Sequence, residues 1–121
     1  MIVEDGAWLA GQAGITLFDP KRAEVVDDLL ENAGQTRMRI QAGLDALDDE
    51  QALEAFQRTN RAIATAFRQR KCHGVADLKP ADVQPPSWYP FQLAFLLMNL
   101  AGVVDPNHAD RKVVDLLFFP T

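Results

Sequence analysis

Lys112-Val-Val-Asp-Leu-Leu-Phe-Phe119, followed by Pro120 and Thr121, is the stretch on which the fold turns. Read as a strand, it makes an otherwise helical chain the beginning of an α/β domain. Its apolar residues are nearly continuous rather than alternating, the pattern of a strand buried on both faces of a parallel sheet. An apolar strand ending in Pro-Thr also has the form in which a strand enters a phosphate loop. That loop needs glycines whose backbone N–H groups cradle phosphate, then a Lys and a Ser or Thr. None of these follows within the 121 residues. The opposite reading, a complete small helical protein, leaves a lone strand whose backbone groups need a partner. Residues 15–18, or another chain, are the candidate partners.

Working outward, the rest of the chain reads as helix. Asp19-Pro20 is a strong start, because Asp accepts from orphan N–H groups and Pro has a preset φ at the first helical position. Val25, Val26, Leu29, Leu30 and Ala33 recur at helical spacing. Past Gly34 the stripe resumes at Met38, Ile40 and Leu44, and one long helix or two short ones both fit. Asp48-Asp-Glu-Gln51 has the acceptor and three-residue offset of a capping box and opens a second helix to about Lys71. Leu53, Phe56, Ile63 and Phe67 lie along one face of it. Asn60 interrupts that face and reads as a satisfied polar group or a helix–helix contact. A short acidic link predicts that these two helices form an antiparallel hairpin. Gly74, Pro80, Pro85 and Pro86 mark 74–87 as a loop. A third helix is expected from Pro90 to about Leu100, apolar nearly all round and therefore buried. Residues 105–110 read as a turn or short insertion. The implied organisation is a helical region over 1–73, the loop 74–87 and a further unit over 88–121.

Composition bounds the function. A net charge of −5, from 12 basic and 17 acidic residues, disfavours non-specific attraction of the whole chain to nucleic acid or anionic membrane. It leaves room for a local basic face. The single cysteine, Cys72, precludes an internal disulfide and fits a reducing cytoplasm. Glu4 and Asp5 sit where a secretory signal has basic residues. The most apolar stretch, 91–104, is too short to span a bilayer and contains Asn99. These features lead to the expectation of a cytoplasmic protein with no membrane partner.

Trp88-Tyr-Pro-Phe-Gln-Leu-Ala-Phe95 carries the most chemistry. Pro90 starts a helix and sets Gln92 in its first turn, with the amide projecting outward. A carboxamide both donates and accepts, so it suits two adjacent groups on the edge of adenine. Trp88, Tyr89 and Phe91 offer stacking surface beside it. Arg58, Arg61, Arg68, Arg70 and Lys71 make the later part of the second helix basic. Such a face contacts phosphate in a nucleic-acid-binding protein. It also complements the helix dipole and solvates an exposed surface, which is the commoner role. Asp27, Asp28 and Glu31 have no His or metal-ligand partner and read as surface. His73 and His108 are loop residues, and no catalytic or metal-ligating constellation stands at usable spacing.

Three segments together resemble a known family: Trp88-Tyr-Pro-Phe-Gln-Leu-Ala-Phe-Leu-Leu-Met-Asn-Leu100, Asp105-Pro-Asn-His-Ala-Asp-Arg111 and Val114-Asp-Leu-Leu-Phe-Phe-Pro-Thr121. They are similar to the start of the motor core in superfamily 2 helicase-like proteins, and most of all to the large helicase-like component of the DISARM bacterial phage-defence system. Glu54-Ala-Phe-Gln-Arg-Thr-Asn-Arg-Ala62 resembles the helical segment that precedes that core. The resemblance runs over 18–121 and is strongest from Trp88 onward. It implies a mainly α chain: a helical hairpin, then the first helix and first strand of a RecA-like α/β lobe, ending before the phosphate loop. It implies that Gln92 recognises adenine, and that Pro120 and Thr121 open a loop that continues as Gly-Gly-Gly-Lys-Thr in the family. Where the family has Arg before the Pro, this chain has Tyr89. ATP and magnesium are the implied cofactors of the longer protein. DNA, the remainder of the motor and other defence components are its implied partners. The chain by itself, lacking the phosphate loop, is expected to be inactive and to bind no nucleotide tightly. The alternative is a small non-enzymatic helical interaction module.

Overall fold

The computed structural model describes residues 7–9, 11 and 19–116. Three long helices carry it: α1 (Pro20–Ala46), α2 (Glu50–Cys72) and α3 (Pro90–Val104). Two short 3-10 turns, Pro80–Asp82 and Ala109–Lys112, accompany them, and residues 7–9 and 11 are helical.

Each helix begins for a local reason. Asp19 caps α1, its carboxylate accepting from the Lys21 N–H at 3.0 Å, and Pro20 takes the first helical position. Gly34 neither ends nor divides α1, which is continuous over 27 residues. The cap of α2 is Asp49, one residue later than the sequence pattern placed it. Its carboxylate accepts from the Ala52 N–H at 3.2 Å, and Glu50 follows in the first turn, where negative charge suits the dipole. Pro90 opens α3 without a side-chain cap, and the helix runs to Val104 rather than about Leu100.

Packing is decided by one glycine. A Cβ at Gly43 of α1 would collide with the backbone carbonyl oxygen of Leu97, so the missing side chain lets α1 and α3 approach backbone to backbone. Leu97, Ala101 and Gly102 of α3 are buried, as is Gly43. The expected hairpin needs correction here. The turn over 47–49 does join α1 to α2, but α1 packs closely against α3, and α2 approaches the 3-10 turn Pro80–Asp82. The reason is steric, since the small-residue seam of α1 fits α3, whereas α2 has no buried residue. The expectation of a fully buried α3 is corrected too. With α1 as its close helical neighbour, α3 leaves Phe91 and Val103 exposed.

The α/β reading is overturned. Among the described residues there is no strand, and the fold is mainly helical. Lys112 closes a 3-10 turn and 113–116 have no regular structure, while 117–121 lie outside the described residues. A strand is stable only when a neighbour pairs with its backbone groups. Here the run is held by charge instead. Arg39 of α1 grips Asp115 with two parallel bonds, Nη1 to Oδ1 and Nη2 to Oδ2, both 2.7 Å, and its Nε donates to Asp110 at 3.1 Å. Val114 and Leu116, on either side of Asp115, are 84% and 88% exposed. Arg111 adds a second tie, donating from Nη1 to the Gly102 carbonyl at the end of α3 at 2.8 Å. The hydrogen bonds from Arg39 hold the Asp115 carboxyl below its ordinary range, against the opposing effect of burial. The same pairing raises Arg39. Among the described residues no helix is long and apolar enough to cross a membrane.

Candidate functional site

Some of the residues singled out for chemistry on α2 and at the start of α3, Arg61, Arg70, Trp88, Tyr89 and Gln92, meet across one cavity. Trp88 fixes it. The indole N–H donates to Asn60 Oδ1 at 3.1 Å, tying the loop two residues before α3 to the middle of α2. Asn60 is therefore the satisfied polar group that its place on an apolar stripe predicted, and its partner is the tryptophan. Next to this bond opens a cavity of about 600 Å³, whose walls include Arg61, Phe67, Arg70, Trp88, Tyr89 and Gln92. Gln92 occupies the third position of α3, before intrahelical bonding has begun to consume its surroundings, and it is exposed. A second cavity of about 570 Å³ adjoins the first between α2 and α3. Trp88 and Gln92 line both, and Phe56, Thr59, Phe95 and Leu100 are among the other walls of the second.

The other expected site residues are distributed unevenly. Tyr89 lines the first cavity and stacks on Phe91, with centroids 6.0 Å apart and ring planes 12° from parallel. Phe91 does not reach the cavity wall. Of the five basic residues, Arg61 and Arg70 face the cavity, and Arg58, Arg68 and Lys71 do not. Arg58 is paired with Glu54 at 2.6 Å one turn earlier. Lys71 lies 5.5 Å above the Phe67 ring, an arrangement that favours a cation over an aromatic face. Arg68 is half-buried, and its Nε has no hydrogen-bond partner among the described residues. Pro120 and Thr121 lie outside the described residues. Among those described, no group of three or more His, Cys, Asp or Glu stands where it would hold a metal. His108 instead caps the second 3-10 turn, Nδ1 accepting from the Asp110 N–H at 3.2 Å.

Chemically, the first cavity combines the Gln92 carboxamide, three aromatic side chains (Phe67, Trp88 and Tyr89) and two guanidinium groups. Such a set suits a flat heteroaromatic ligand that carries negative charge. The clasp of Arg39 on Asp110 and Asp115 was not foreseen. An aspartate in the middle of an apolar run was the visible signal for it, since a carboxylate has no place inside a buried strand without a partner.

No family model matches the chain, and no solved structure matches it. Among curated proteins it is similar to the DISARM protein DrmA of Bacillus paralicheniformis. The two are 34% identical over 105 residues, an alignment that takes in 81% of this chain and 9% of that protein. The chain thus matches one short part of a much longer relative. By that likeness over most of its own length, the chain is a DISARM-related protein.

Proposed function

We propose that the chain serves in bacterial phage defence as one segment of a helicase-type DISARM component, an ATP-driven motor acting on nucleic acid. The observation that carries this is the cavity joining Gln92 and Tyr89 to Arg61 and Arg70. Gln92 would meet the edge of adenine by donating and accepting at once, and Tyr89 and Trp88 would flank the base. A base stacked on an aromatic side chain gains about 1–3 kcal/mol. ATP with magnesium is the cofactor of the proposed motor. The described residues would meet base and phosphate, and the cation and the phosphate loop would be served by other residues. Partners in this reading are the rest of the motor, DNA and further defence components.

The test uses the longer protein that carries this segment, assayed for DNA-dependent phosphate release. Gln92→Ala is expected to raise KM for ATP about three- to tenfold, the cost of one lost hydrogen-bonding group. It should also weaken protection of cells that carry the complete system against phage. An unchanged KM for ATP would sink the adenine assignment. It would shift weight to the alternative of a non-enzymatic helical interaction module, which the apolar cavity between α2 and α3 favours.

A further inference from the structure

We infer that Arg70 is the phosphate anchor of the first cavity and makes it prefer a phosphorylated adenine ligand to an unphosphorylated one. This rests on the adenine reading of Gln92 and adds to it a residue from a different helix. Gln92 marks one end of the cavity. It shares the first cavity with Asn60 and the second with Phe56 and Thr59, so it stands level with 56–60 of α2. Arg70 is ten residues past Asn60 in the same helix, about 15 Å further along at 1.5 Å per residue. Between them Ile63, Ala64 and Phe67 form an apolar floor. A ligand with its base at Gln92 and Trp88 would lie along that floor and bring its charged end to Arg70.

The neighbouring cations are worse placed for this. Arg61 stands at the base end, and its Nε is turned back to the Gln57 carbonyl at 3.4 Å. Arg58 is committed to Glu54, and Lys71 to the Phe67 ring. Among the described residues no carboxylate lies within ion-pair distance of Arg70. Its guanidinium presents a planar fork that matches phosphate, and such charge-assisted bonds are about twice as strong as neutral ones.

The experiment titrates the purified chain with ATP, GTP and adenosine, following heat or tryptophan emission. ATP is expected to bind about tenfold more tightly than adenosine, an advantage of one charge-assisted contact. Arg70→Ala should erase that ratio, Arg70→Lys should keep part of it, and Arg22→Ala, on the exposed start of α1, should leave it intact. Arg70 is exposed, so its variants should keep the wild-type circular dichroism and thermal midpoint. A ratio that survives Arg70→Ala overturns the inference. The adenine reading fails by a different sign, when ATP and GTP bind equally and Gln92→Ala changes neither. No binding of ATP or adenosine even at millimolar ligand overturns both.

Discussion

Gly34 and Gly43 sit in the same helix and answer to opposite forces. A Cβ at Gly34 meets nothing within 4 Å, so Gly34→Ala should stabilise the chain by about 0.5–1 kcal/mol through helix propensity. At Gly43 the added methyl meets the backbone of Leu97, which cannot move aside as a side-chain tip would. Gly43→Ala is therefore expected to destabilise by about 2 kcal/mol or more, overpacking outweighing the same propensity gain. Urea unfolding of the two variants, compared at unchanged slope, checks both signs. Equal shifts would refute the close contact of α1 and α3. Asp115 gives a pH-dependent companion. Because Arg39 lowers its pKa, the folded chain holds that proton less tightly than the unfolded chain. The pair's stabilisation is complete above the ordinary carboxylate pKa of about 4 and is lost as pH falls through and below it. Asp115→Asn should cost about 2 kcal/mol at neutral pH and progressively less in acid. A cost that stays constant down to strongly acidic pH would exclude the ionic origin.

At the scale of elements, α2 differs in kind from α1 and α3. It has no buried residue, and its caps and i,i+4 pairs are local. Amide exchange in α2 should accordingly be faster than over 93–102 of α3, where Leu97 and Ala101 are buried. Asp49→Ala should quicken it further at the cost of about 1 kcal/mol, and Asp48→Ala should not. Equal protection of α2 and α3 would argue against this hierarchy. The helices themselves were legible in the sequence because their signals are local. Asp19-Pro20 and Pro90 mark starts, and apolar stripes mark faces. Pairing was not legible, since it depends on a glycine meeting a carbonyl and on Arg39 reaching an aspartate 76 residues away. The strand was misread for a related reason. Continuous apolar residues describe what a segment would bury, but a strand also requires a neighbour, and the only visible hint against it was Asp115 itself. The cavity was half legible. Gln92, Tyr89, Arg61 and Arg70 were each named, but their meeting needs the loop that carries Trp88 to Asn60.

For the whole molecule, the expectation is that the chain does not turn over ATP unaided. Sensitive phosphate-release assays on purified material, with Gln92→Ala as the contamination control, should show no activity that depends on that residue. Turnover lost in the variant would contradict it. The clearest property at this scale is how little of their apolar surface the described residues conceal. Among the described residues, the apolar side chains that count as buried are Leu97 and Ala101. The heat capacity of unfolding tracks apolar surface newly exposed to water and is typically about 12–15 cal/mol/K per residue. A chain that already shows Met38, Val103, Val114 and Leu116 to solvent has less left to expose. Its increment should fall below that range, flattening the dependence of stability on temperature. Calorimetry should then record a broad, low endotherm with little curvature between cold and heat.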